Sequence, residues 1–167
     1  MRPPALAVVG PGETATDADL RHAESLGALA AAEGWTLLTG GIASGVMDAA
    51  NRGARAAGGL TVGILPTADT RPASPHLSVA IVTAMGQARN NVIVLSSDAV
   101  AVCGMSAGTA VEAALALRAH RPLVFVAADA TTRAFYERLG QPGAMHFTTS
   151  PEEAIAVLRG ILARRTK

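Results

Sequence analysis

The chain has one lysine, one cysteine, one tyrosine and one tryptophan in 167 residues. Each scarcity removes a class of chemistry. The lysine is Lys167, the last residue, whereas the other basic side chains are all arginine. A phosphate-loop ATPase needs Gly-Lys-Ser/Thr and a pyridoxal phosphate enzyme needs a Schiff-base lysine, roles that a terminal residue cannot fill. Neither PLP nor a P-loop is expected. The lone cysteine, Cys103, has no partner for an internal disulfide and ends an apolar run, so it is read as a buried structural thiol rather than a nucleophile. Charged residues make up 16% of the chain and the net charge is +1, with the basic side chains scattered apart from Arg164, Arg165 and Lys167. No nucleic-acid partner follows from that balance. His22, His76, His120 and His146 lack metal-motif spacing, so no metal site is expected. No apolar stretch has the length of a bilayer span, and Met1 to Val9 runs straight into an apolar strand. A soluble, cytoplasmic protein without a membrane partner is the expectation.

What the chain does have is small apolar residues arranged in alternating short runs and helical periods. Half of the residues are hydrophobic, and 17 are glycine. The alternation predicts an α/β fold, a single Rossmann-like doubly wound domain over residues 1–167, with about seven mostly parallel strands and helices on both faces. Strands are expected at Ala5 to Gly10, Thr36 to Gly40, Leu60 to Leu65, Val79 to Thr83, Ala99 to Cys103, Leu123 to Ala127 and, as a short edge strand, Met145 to Thr148. The first helix is expected from Asp17 to Glu33, capped by Thr16 with Asp19 in a capping-box position and burying Leu20, Ala23, Leu26 and Ala30. Further helices follow at Gly45 to Ala57, Arg89 to Ser96, Gly108 to Ala119 and Thr131 to Leu139. Ser150-Pro151-Glu152-Glu153 opens the last one with an N-cap, a first-turn proline and a capping-box glutamate. The segment Thr67 to Leu77 reads as a lid or a plain surface loop.

Three glycine-bearing turns follow three of these strands: Gly10-Pro11-Gly12-Glu13-Thr14-Ala15, Gly40-Gly41-Ile42-Ala43-Ser44-Gly45, and Gly104-Met105-Ser106-Ala107-Gly108-Thr109. In a doubly wound sheet the strand ends share one crevice, so the three turns can converge on one ligand. The third turn opens a helix, whose unpaired N–H groups and positive dipole end suit a phosphate. The first turn fits Gly-x-Gly-x-x-Ala, a form of the dinucleotide fingerprint. A nicotinamide enzyme should also carry Asp or Glu at the end of the second strand, where Leu37-Leu38-Thr39-Gly40-Gly41 stands instead. NAD is therefore not expected.

Gly40-Gly41 with Gly45-Val46-Met47, then Arg89, Ser97-Asp98, and Gly108-Thr109 with Glu112, resemble the Lonely Guy (LOG) superfamily, once labelled lysine decarboxylases, and the related molybdenum-cofactor carrier proteins. The resemblance runs from about Ala5 to Ala127. It implies a Rossmann-like sheet and a homodimer or higher homo-oligomer. Enzyme members of the superfamily hydrolyse the N-glycosidic bond of a nucleoside 5′-monophosphate. Glu112 matches their carboxylate, which stabilises an oxocarbenium-like centre and orients water, and Arg89 matches their cationic fork. Those enzymes follow the arginine with lysine and start the phosphate turn with Pro-Gly-Gly. Here the positions hold Asn90 and Gly104-Met105-Ser106. Met85-Gly86-Gln87-Ala88-Arg89-Asn90 is similar instead to the carrier branch, in which Arg-Asn is the rule. That branch has a Gly-Gly-Gly-x-Gly-Thr turn, so Met105 and Ser106 depart from it as well, the serine offering a hydroxyl and the methionine narrowing or greasing the site.

The reading favoured by these matches is a binding or carrier protein for a phosphate-bearing cofactor or nucleotide, either molybdenum cofactor or a nucleoside monophosphate. Its expected ligand contacts are Gly10, Gly12, Gly40, Gly41, Gly45, Arg89, Asn90, Gly104, Met105, Ser106, Gly108, Thr109 and Glu112. A LOG-type phosphoribohydrolase using Glu112 and Arg89 is the alternative, and a degenerate, non-binding Rossmann module is the third. Asp48 and Asn51 either reach the ligand or form a polar helix face. Asp98 is read as structural.

Overall fold

The computed structural model describes residues 2–140 and 143–165; Lys167 and the end of the basic tail lie outside the described residues. In chain order the elements are β1 (Ala5–Val9), α1 (Asp17–Ala32), β2 (Thr36–Thr39), α2 (Gly45–Ala56), β3 (Thr61–Leu65), β4 (Val79–Val82), α3 (Arg89–Ser96), β5 (Ala99–Cys103), α4 (Ala107–Arg118), β6 (Leu123–Val126), α5 (Ala130–Leu139), β7 (Met145–Thr148) and α6 (Pro151–Arg165). A short 3₁₀ turn, Gly86–Ala88, leads into α3. The seven strands form one parallel sheet in the order β4-β3-β2-β1-β5-β6-β7. This is the doubly wound arrangement expected, and the order reverses between β1 and β5. That junction is the topological switch point, where the loops diverge and leave a crevice.

Strand chemistry explains the layering. β1 and β5 are buried at every position, as parallel strands covered on both faces must be. One apolar layer joins Leu6, Val8, Leu37, Ala101 and Val124 to the small residues of α1 and α2 and to Ile155 and Leu158 of α6. The other joins Ala7, Val9, Leu38, Val100 and Phe125 to Ile93 of α3, Ala113 of α4 and Tyr136 of α5. Alternate side chains of each strand thus feed opposite layers. α1 and α2 approach with almost nothing between them: a Cβ on Gly27 would strike the Ala50 carbonyl, and one on Gly53 the Glu24 carbonyl.

Several boundaries move for local reasons. Thr16 forms the capping box with Asp19 as expected, but Leu20 is only half-buried and Gly27 takes the central contact of the helix face. α4 starts at Ala107 because Ser106 caps it, its hydroxyl accepting from the Thr109 N–H at 3.2 Å. Asp98 accepts from the Arg2 guanidinium and from the Ala5 N–H at 2.8 Å, which ties the chain before β1 to the start of β5; the structural reading of that residue holds. Cys103 is fully buried and burial pushes its thiol up to about 12, so it is the inert thiol expected. Among the described residues no helix is long and apolar enough to cross a membrane.

Candidate functional site

The three glycine turns do meet, and backbone contact holds them together. β1, β2 and β5 are neighbours in the sheet, so their C-terminal ends lie side by side. Gly45 has φ +55°, and a Cβ there would strike the carbonyl oxygens of Pro11 and Gly12. The next residue, Val46, donates its N–H to the Pro11 carbonyl at 3.0 Å. The second turn is therefore seated on the first. Gly10 lies against the Cys103 carbonyl, joining the first turn to the end of β5. Gly104, with φ +76°, lies against the Asp19 carboxyl, a Cβ there coming within 2.6 Å of Oδ1.

The polar groups of α2 turn out to serve this assembly from inside. Asn51 is fully buried and donates from Nδ2 to Thr39 Oγ1 at 3.1 Å, while Thr39 Oγ1 also accepts from the Gly41 N–H at 3.0 Å. Asn51 thus fixes the end of β2 from the sheet-facing side of α2. Asp48 accepts from Ser74 Oγ at 2.6 Å and faces Arg52, which places it in a polar helix face.

Arg89 and Asn90 begin α3, and both are buried. The Arg89 guanidinium reaches under the second turn: a Cβ on Gly40 would come within 2.6 Å of Nη2. Its Nη1 faces Glu112 Oε1 at 3.4 Å, with each side chain only 10% exposed. This is a buried pair rather than a surface bridge. Glu112 is the sixth residue of α4. That places it past the first turn, where the helix dipole fades, so the dipole does not account for it. Burial pushes its carboxyl up to about 7, with the Arg89 charge and hydrogen bond pulling the other way, and burial likewise lowers the Arg89 pKa. Arg89 Nε and Asn90 Oδ1 are buried without a hydrogen-bond partner. Buried polar atoms of this kind are uncommon and call for a missing partner.

The open space lies elsewhere. A cavity of about 280 Å³ opens at the ends of β5 and β6, bounded by the first turn, the third turn and the β6–α5 connection. Of the expected ligand contacts only Gly104 and Met105 line it; Arg89, Asn90, Glu112, Gly40 and Gly41 do not. Its walls include Thr14, Thr16, Asp19, Asp129 and Thr132, which the sequence reading had left out of the site. A signal for Asp129 existed: it caps α5, accepting from the Thr132 N–H at 2.7 Å, directly after the strand that neighbours β5. Ser106 and Thr109, expected to face the ligand, hydrogen-bond each other at 2.8 Å across the cap. Gly108 is open, since a Cβ there would meet only Ser106 Oγ at 3.9 Å. No cluster of His, Cys, Asp and Glu among the described residues could hold a metal ion.

Known proteins resemble this chain over nearly its whole length. The profile of the SLOG cluster4 family matches residues 4–155. An uncharacterized protein of Archaeoglobus fulgidus is 41% identical over 113 residues, which are 68% of this chain and 73% of that protein. The structure of the molybdenum cofactor binding protein of Rippkaea orientalis superposes with a TM-score of 0.94 at 45% identity, covering 97% of this chain and 99% of the other. That of the molybdenum cofactor carrier protein of Chlamydomonas reinhardtii superposes with a TM-score of 0.92 at 40% identity, covering 97% and 99%.

Proposed function

The chain belongs to the SLOG cluster4 family, and from that premise we propose that it is a carrier for a phosphate-bearing cofactor, with the molybdenum cofactor as its cargo. The convergence of three glycine turns at the switch point supports this reading most directly, because bare backbone there admits a flat, anionic ligand. The similarity to two proteins named for binding or carrying that cofactor points the same way.

The residues present fit such a group. Ser106 occupies the Thr109 N–H, which leaves the N–H groups of Ala107 and Gly108 at the start of α4 for the phosphate. The open face of Gly108 lets the phosphate approach the backbone. Arg89 supplies positive charge beneath Gly40, and its unpartnered Nε and the Asn90 Oδ1 are a donor and an acceptor for the cargo or for water that accompanies it. Gly10, Gly12, Gly41 and Gly45 act by leaving room and by locking the turns together. NAD fits this reading less well, because Thr39 at the end of β2 is tied to Asn51 and offers no carboxylate for a ribose. A homodimer or larger homo-oligomer belongs to the reading: Val79, Ile81, Val82 and Met85 at the β4 edge are all more than 40% exposed, an apolar surface that a second copy would cover.

One observation favours a nucleoside 5′-monophosphate phosphoribohydrolase as a second reading. The Glu112 carboxyl, at about 7, is poised for proton transfer near neutral pH beside an arginine. Incubation of the purified chain with molybdenum cofactor, followed by gel filtration, molybdenum analysis and pterin fluorescence, separates the two. Co-elution of metal and pterin with the protein, and no free base from a panel of nucleoside monophosphates, is the expected result. Release of base that Glu112→Gln abolishes would replace the carrier by the hydrolase.

A further inference from the structure

We infer that the 280 Å³ cavity is a ring-recognition subsite that reads the donor edge of a 2-amino-4-oxopyrimidine, the edge shared by pterins and guanine, through the carboxylates of Asp19 and Asp129. The inference rests on the reading of the chain as a carrier of a phosphate-bearing ligand and assigns the part of the site that holds the ring.

The composition of the cavity carries the argument. Among the residues lining it there is no arginine, lysine or histidine, while two carboxylates and the hydroxyls of Thr14, Thr16 and Thr132 face it. A phosphate placed there would meet like charge and no cation, so the anionic end of the ligand belongs at α4 and not here. Ionised carboxylates only accept hydrogen bonds, and neither is saturated. Asp19 uses Oδ2 for the Thr16 N–H and hydroxyl, at 2.9 and 2.8 Å, and holds Oδ1 at the cavity wall beside Gly104. Asp129 accepts from the Thr132 N–H at Oδ1, a bond that lowers its pKa together with the Thr132 hydroxyl and the Thr131 N–H, and it keeps part of its acceptor capacity for the cavity. Two carboxylates with acceptor capacity remaining and no opposing cation among the lining residues favour a neutral group bearing N–H donors. Pterins and guanine carry a ring N–H next to an exocyclic amine, two adjacent donors of the kind that carboxylates accept. Adenine carries one amine beside a ring acceptor, and that acceptor would face a carboxylate oxygen.

The remaining walls suit a flat ring. Val102, Phe125 and Val126 are apolar and close the inner end. Met105 is packed on the apolar layer beneath and lines the cavity. It stands where the resemblance leads one to expect glycine, and its polarizable thioether is adapted to lie on an aromatic face. Gly104 must remain without a side chain, because a Cβ would meet the Asp19 carboxyl at the cavity wall.

Calorimetric titration of the full chain with GMP, IMP, AMP and neopterin monophosphate tests the assignment. Neopterin monophosphate and GMP are expected to bind about tenfold or more tightly than AMP, with IMP, which lacks the 2-amine, between them. Asp129→Asn keeps the cap of α5, since asparagine caps as well as aspartate, and Asp19→Asn keeps an amide oxygen that can accept from the Thr16 N–H in the capping box of α1. Each is expected to shift the GMP to AMP affinity ratio by about tenfold towards AMP, because an amide offers both a donor and an acceptor. A stronger response to neopterin than to GMP identifies a pterin cargo, and the reverse identifies a guanine nucleotide; either supports the subsite. Equal binding of all four ligands, or an unchanged ratio in both variants, overturns the subsite and leaves the carrier reading standing. No binding of any of them, together with no retention of molybdenum cofactor, overturns both.

Discussion

The cavity beside Gly104 and the polar pair beneath Gly40 sit at the ends of strands separated only by β1, yet they are built in opposite ways. The cavity is open, lined by carboxylates and hydroxyls, and lacks a cation. The pair is closed, contains the Arg89 cation, and leaves buried polar atoms unmatched. Space and positive charge have been separated. A polar side chain at the mouth of the cavity can change with little effect on the fold, because water replaces what is removed. A side chain in the pair cannot, because its partner would be left either charged in a medium that does not solvate it or neutralised at a shifted pKa. Function and stability should therefore respond differently on the two sides, and substitutions can test whether they do.

Arg89→Ala should have the largest effect. It takes away the charge that pulls the Glu112 pKa down, so the full cost falls above about pH 7, where the carboxyl would have to ionise without a partner. At pH 8 the loss of one member of the buried pair should cost about 3–5 kcal/mol, and less at pH 6, where the carboxyl is protonated. The melting temperature at pH 8 should fall by roughly 6–20 °C, at about 2–4 °C per kcal/mol for a chain of this size. The double replacement Arg89→Met with Glu112→Leu should recover most of that loss. If the double variant unfolds as readily as the single one, the arginine acts through packing and the electrostatic account fails.

Gly104→Ala addresses the other side. The added Cβ meets the Asp19 carboxyl, a group at the end of a side chain that can give way, and φ +76° adds the strain of a left-handed residue. The expected loss of stability is about 1–2 kcal/mol. Gly34→Ala provides the comparison, because Gly34 has φ +73° and nothing within 4 Å of its Cβ position. Both variants should lose similar stability in urea titrations, while only Gly104→Ala loses ligand. Loss of binding in both would mean that general loosening, not the filled cavity, is responsible.

This contrast also marks how far the sequence could be read. Strand existence was legible because Ala5–Val9 and Ala99–Cys103 are continuous apolar runs, and the Thr16 and Ser150 caps announced their helices. The meeting of the three turns was legible from the rule that parallel strand ends share an edge. Their direct backbone contact was not, because the approach of Gly45 to Pro11 depends on how α2 docks. Arg89 and Glu112 were visible through resemblance, but their mutual burial needed the fold, since 23 residues separate them. Asn51 was open for the same reason: a polar residue on an amphipathic helix gives no sign that it points inward at Thr39. Asp19 and Asp129 were hidden behind their capping roles. A residue that explains a helix start looks fully accounted for, although a carboxylate has an oxygen to spare after capping.

The pair should also set a pH dependence of stability, smaller than either mutational effect. The Glu112 carboxyl titrates near 7 when folded, above the ordinary 4.5, because burial disfavours its charge more than Arg89 favours it. Between about pH 4.5 and 7 the folded chain holds this proton while the unfolded chain has already released it. Folding is therefore favoured at the acid end of that window, and the advantage is lost as the pH rises through 7. Between pH 6 and 8 the expected loss is about 1 kcal/mol, which urea titrations at the two pH values can resolve. Glu112→Gln removes the ionisable group and should flatten this slope. A wild-type chain equally stable at both pH values would place the carboxylate in contact with solvent and take away the closed character of the pair. A slope that persists in Glu112→Gln would move its origin to another group and leave the contrast with the cavity resting on the Arg89 and Gly104 variants alone.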